Sequence, residues 1–90
     1  MITTIRRPVT KHCPFVPETD IGELIITIPG DAPELHELGE RISQLMGVAD
    51  THEAFTRRVA ELVPGAQVVT RWHTGPWDVE CCEAPEEAAP

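Results

Sequence analysis

The chain has ninety residues, with 15 Asp or Glu against 7 Lys or Arg and a net charge of −8. That length suits one domain with a modest core, and the charge argues against a dedicated DNA- or RNA-binding module, whose affinity rests on cations neutralising phosphates. Three cysteines, two of them adjacent at Cys81 and Cys82, give no disulfide framework. No apolar run reaches membrane-spanning length and no basic-then-apolar leader opens the chain, so a reduced, cytoplasmic setting is expected.

Residues 2–10 are rich in β-branched types and read as a first strand, which Pro8 either places at a sheet edge or ends. Arg6, Arg7 and Lys11 cluster here and read as solvated surface, as do Arg57 and Arg58 later. His12 to Asp20 follows as a proline-stiffened loop, because Pro14 and Pro17 fix φ and bias Cys13 and Val16 away from helix. A thiol and a carboxylate, Cys13 and Asp20, thus stand on one stiff loop feeding a strand.

Residues 22–28 are the clearest strand, with Leu24, Ile26 and Ile28 sharing one face, and Pro29-Gly30-Asp31 turns the chain. From Pro33 to Met46 the period becomes helical: Leu35, Leu38, Ile42, Leu45 and Met46 form the apolar stripe, Pro33 suits the first turn and Gly47 the exit. A second helix is expected from Thr51 to Val63, with Asp50 as N-cap, Glu53 at capping-box spacing, and Phe55, Val59, Leu62 and Val63 buried. Residues 66–72 and 77–82 read as strands joined by His73-Thr74-Gly75-Pro76. In the last of them Trp77, Val79 and Cys81 form the apolar face. The segment 83–90, Ala/Glu/Pro-rich and acidic, is expected to be a disordered tail to a single domain over 1–82.

The order ββ–αα–ββ predicts an α+β fold with both helices on one face of an antiparallel sheet. Few aromatic residues and half-apolar strands suggest that the chain buries more surface by self-association.

This arrangement resembles the tunnelling fold and, within it, the 7-cyano-7-deazaguanine reductases and their small archaeosine-forming relatives. The resemblance rests on Cys13-Pro14 with Asp20 seven positions after the cysteine, on His52-Glu53 opening the second helix, and on Glu34 nineteen residues before Glu53; it spans about residues 9–82. It implies subunits joining their sheets into a barrel, as pentamers or decamers, with purine- or pterin-like rings bound between them.

It also implies roles. Cys13 would add to the nitrile of 7-cyano-7-deazaguanine (preQ0), a precursor of queuosine and archaeosine, giving a covalent thioimide. Asp20 would shuttle the proton. Glu53 would grip the ring's donors, with His52 and Glu34 as further contacts.

One departure bears on the reaction. The reductases open their first helix with a Glu-Ser-Lys-Ser-Leu type motif associated with NADPH, whereas this chain has Glu34-Leu35-His36-Glu37-Leu38, and their Arg-Gly-Gly type turn is replaced by His73-Thr74-Gly75-Pro76. Carboxylates in place of lysine and serines suit a dinucleotide phosphate poorly, so no cofactor is expected. The archaeosine-forming relatives lack that motif too and resolve the thioimide with ammonia to an amidine. Their tRNA substrate fits a net charge of −8 poorly, which leaves a free base, a nucleoside or another acceptor open.

Three alternatives stand: an amidine-forming enzyme, an NADPH-dependent nitrile reductase with a divergent cofactor site, and a non-catalytic ring-binding or interaction protein. A zinc site from His12, Cys13, His73, Cys81 or Cys82 is the rival chemistry, but no CxxC or HxxxH pair supports it, and adjacent strand residues such as Cys81 and Cys82 point to opposite faces. No metal is expected.

Overall fold

The computed structural model describes residues 1–85. Six elements follow one another: β1 Ile2–His12, β2 Thr19–Pro29, α1 Leu35–Met46, α2 His52–Leu62, β3 Gln67–Thr74 and β4 Trp77–Glu83. The strands form one antiparallel sheet in the order β1-β2-β3-β4. Both helices cover the same face, which is the α+β arrangement expected from the element order.

Alternation builds the core. Val9, Leu24, Ile26, Ile28, Val68 and Trp72 point inward from the first three strands and meet Leu38 and Ile42 of α1 and Phe55 and Val59 of α2. Each large side chain buried in this way contributes about 1.5–3 kcal/mol.

The first hairpin is longer than the sequence suggests. β1 runs to His12 and β2 starts at Thr19, so the connection shrinks to residues 13–18. Pro14 and Pro17 are confined to that connection, where a missing N–H costs no ladder bond. The Cys13 N–H donates to the Glu18 carbonyl at 2.9 Å, which closes the loop. Pro8 lies mid-strand opposite Glu23, and β1 is an edge strand, so of the two alternatives Pro8 marks the edge.

Both helix starts differ from expectation. α1 begins at Leu35, with Pro33 outside it, because Glu34 is the N-cap and its carboxylate accepts from the N–H groups of His36 and Glu37. Leu35 consequently faces outward and is 51% exposed rather than part of the buried stripe. Gly47 closes the helix as expected. At α2 the cap is Thr51, whose hydroxyl accepts from the Ala54 N–H, and no capping box forms. Asp50 instead bonds Arg58 at 2.7 Å.

The second hairpin turns in two residues, Gly75 and Pro76, between paired Thr74 and Trp77. Gly75 has φ +57°, the left-handed value that a type II′ turn needs at its first position. Val79 and Cys81 are half-buried, but Trp77 is exposed because it stands at the hairpin tip, beyond the first turn of α2. Glu83 closes β4 rather than opening a tail, and residues 86–90 of the expected tail lie outside the described residues.

Candidate active site

One end of the sheet collects the residues with chemistry. The His12 carbonyl accepts from the Asp50 N–H at 3.1 Å, and a parallel bridge joins His12 to Ala49. This ties the end of β1, and the half-buried Cys13 after it, to the connection leading into α2. His52 and Glu53 open α2 at the same place.

Asp20 does not lie on the loop with Cys13. It is the second residue of β2, directly across from Lys11, and its carboxylate Oδ2 accepts from Lys11 Nζ at 2.5 Å. The two side chains are 9% and 1% exposed. The lysine read as surface from the sequence is therefore among the most deeply buried side chains. Arg7 is not free surface either, since it donates to the Gly39 carbonyl of α1 at 3.2 Å.

A buried ammonium is expensive to desolvate and persists only with compensating partners. Lys11 has two. Besides Asp20, its Nζ stands 5.0 Å from the ring centroid of Trp72, within cation–π range.

Trp72 is the pillar of this end. His52 stacks on it at 4.9 Å between centroids with an interplanar angle of 11°, and Phe55 meets it edge-on at 5.4 Å. Its indole N–H donates to Thr70 Oγ1 at 2.9 Å, and Thr70 in turn bonds the Thr56 hydroxyl at 2.6 Å. Gly22, paired with Trp72 on the neighbouring strand, leaves room for the ring: a Cβ there would stand 2.5 Å from Trp72 Cε3 and 2.6 Å from the Arg71 carbonyl.

His52 is held at both ends of its ring by different circumstances. Nε2 bonds Thr74 Oγ1 at 2.8 Å, while Nδ1 is buried with no partner among the described residues. Burial lowers its pKa below the ordinary 6.5, helped by the Lys11 charge and opposed by Asp20 and Glu53. The imidazole is thus kept neutral around pH 7. Burial and the Glu53 charge push the Cys81 thiol up, which makes it a poorer nucleophile. Glu53 itself is exposed, its carboxylate free of the cap role expected for it.

Glu34 is elsewhere. It shares a surface groove with Leu62, the last residue of α2, whereas His52 and Glu53 open that helix about 15 Å away by helical rise. Its carboxylate is taken by backbone N–H groups and by His36 Nδ1 at 2.9 Å, and these hold its pKa below the ordinary carboxylate value, the Glu37 N–H most of all.

Zinc ligands do not converge among the described residues. His73 bonds Asp78, and the exposed Cys82 accepts from Gln67; β3 and β4 alternation puts both on the outer face, opposite Cys81. The larger grooves also lie away from Cys13. One, of about 300 Å³, runs between β1 and α1 past Ile5, Leu35 and Gly39. Another, of about 600 Å³, crosses the outer face by Ile21, Arg71 and Glu80.

The chain superposes on the crystal structure of an archaeosine synthase QueF-like protein in its apo form with a TM-score of 0.78, covering 98% of this chain and 96% of that one. The fold is the tunnelling fold. Sequence identity across the tunnelling-fold match is 15%, so the likeness is one of architecture. No known protein family matches the sequence, and no curated protein does. No helix among the described residues is long and apolar enough to cross a membrane.

Proposed function

We propose that this protein converts the nitrile of a 7-cyano-7-deazaguanine, as the free base or within a nucleoside or nucleic acid, through a covalent thioimide at Cys13 that ammonia resolves to an amidine. The observation that supports this reading is that the Lys11–Asp20 pair and His52-Glu53 lie together at the end of the sheet where β1 runs out into Cys13. The likeness in fold to an archaeosine synthase QueF-like protein supports the amidine-forming route.

Cys13 sulfur attacks the nitrile carbon, one π bond of the C≡N breaks, and the thiol proton ends on nitrogen by way of Asp20. Nothing is oxidised or reduced. Ammonia then adds to the thioimide carbon, and the Cys13 thiolate leaves and recovers its proton. Glu53, exposed at the start of α2, accepts from the ring's N–H and amino donors and fixes the nitrile against the sulfur. Neutral His52, stacked on Trp72 and bonded to Thr74, lines the site without competing for the proton.

Glu34 would enter the site of a neighbouring subunit, since it lies at the far end of the helix pair from Cys13. The edge strands β1 and β4 are the surfaces through which sheets would join into a barrel. The exposed Glu34-Leu35-His36-Glu37 turn presents carboxylates where a dinucleotide phosphate needs cations, which favours the non-reductive route.

Intact-protein mass spectrometry after incubation with 7-cyano-7-deazaguanine tests the reading. The expected result is a gain of one ligand mass, discharged by ammonia with release of an amidine and unaffected by NADPH. Discharge by NADPH would replace the proposal with a nitrile reductase. A folded protein that forms no adduct would be a non-catalytic ring-binding protein.

A further inference from the structure

Lys11 is the chain's single lysine, and it is spent in the interior. Core packing does not require it: an apolar side chain of similar volume would fill the same space, and replacing a buried ion pair by hydrophobic residues is often neutral or favourable. Its surroundings are specific instead. The cross-strand register sets Lys11 opposite Asp20, the ammonium binds Oδ2 at 2.5 Å, and Trp72 closes over it at 5.0 Å. One carboxylate oxygen is thereby fixed, and Oδ1 is the oxygen left to handle a proton. Cys13 follows two residues after Lys11, as the first residue of the connection that leaves β1.

We propose that Lys11 is the positioning residue for Asp20, holding it as an oriented carboxylate so that the pair acts as one proton-transfer unit beside Cys13. The inference rests on the thioimide reading and deepens it. In the addition step the thiol proton passes to Asp20 Oδ1 as the S–C bond forms, and from Oδ1 to the nitrile nitrogen as the π bond breaks. Lys11 keeps its own proton throughout and supplies the counter-charge to which Asp20 returns. The other titratable groups facing the pair are His52 from α2, which feels both charges, and Cys81 from β4, which feels Lys11; Glu53 acts on both of these in turn.

The test is the rate of adduct formation with 7-cyano-7-deazaguanine, measured by mass spectrometry of quenched samples, for wild type, Lys11→Met, Lys11→Arg, Asp20→Asn and the double variant. Lys11→Met is expected to slow the addition about 100-fold, the scale of a lost acid–base contribution. The double variant should be no slower than Asp20→Asn alone, as for residues that work as a unit. Lys11→Arg, which keeps the cation, should restore most of the rate, and Lys11→Gln serves in place of Lys11→Met if that variant does not fold by circular dichroism. A wild-type rate in folded Lys11→Met or Lys11→Gln, losses that multiply in the double variant, or a folded Lys11→Arg as slow as Lys11→Met would each overturn the inference while leaving the thioimide standing. Absence of any adduct in the wild type would overturn both.

Discussion

The two helices begin in similar ways and end up doing different things. Each start carries a glutamate and a histidine, Glu34 with His36 at α1 and His52 with Glu53 at α2. At α1 the pair is self-contained: Glu34 caps the helix, binds His36, and both face solvent. At α2 a threonine takes the capping role, which leaves Glu53 unused and lets His52 turn inward onto Trp72 above a buried ion pair. The sheet makes the difference. Near α1 it offers aliphatic side chains such as Ile26 and Ile28, while near α2 it offers Lys11, Asp20, Thr70 and Trp72. A helix start becomes a candidate site when the layer beneath it supplies polar groups that need organising.

The contrast breaks most visibly at Asp20. Asp20→Ala leaves a buried ammonium unpaired and should cost about 3–5 kcal/mol in urea unfolding. Lys11→Met combined with Asp20→Leu should recover that loss or exceed it, while abolishing adduct formation. Full stability without the ion pair, together with full activity, would reduce this end to packing. Gly22→Ala comes next. Its Cβ would collide with the Arg71 carbonyl and the Trp72 ring, and an overpacking cost of about 1–3 kcal/mol is expected. Trp72 fluorescence, separated from Trp77 with a Trp77→Phe background, should change with it.

His52 sharpens the comparison through pH. Its folded pKa lies below the ordinary 6.5, so between the two values the unfolded chain holds a proton that the folded chain does not. Stability should therefore be full above about 6.5, fall as the pH drops from there, and level off below the lowered value. His52→Gln should remove that part of the dependence. Glu34→Gln should have the smallest effect. The lowered pKa of Glu34 gives stability that is present above pH 4.5 and lost as the pH falls through the folded value, so the variant's deficit should vanish in acid.

Much of this architecture is legible without coordinates. Leu24, Ile26 and Ile28 alternate and Leu38 and Ile42 recur at helical spacing, and each of these positions is buried. The likeness to the tunnelling fold follows from the same element order. What escapes the sequence is decided by register. Prolines made residues 12–20 look like one loop, but only 13–18 are, and that shorter loop puts Lys11 opposite Asp20 and both inside. The alternation Ile5, Arg7, Val9, Lys11 puts the lysine on the inward face, against the usual exposure of lysine. The cap at α2 falls one residue later because Asp50 and Thr51 are both good N-caps, and Arg58, further along α2, claims the Asp50 carboxylate. The Trp72 pillar depends on its approach to Gly22 across two strands, which local pattern does not encode.

The most direct measurement is to locate the adduct. The described residues hold three free cysteines, of which Cys13 is the proposed nucleophile, while the Cys81 thiol is pushed up by burial. After incubation with 7-cyano-7-deazaguanine, peptide mapping by mass spectrometry should find one ligand on the Cys13 peptide, and Cys13→Ala should carry none. An adduct on Cys81 or Cys82, or an equal adduct in Cys13→Ala, would contradict the account.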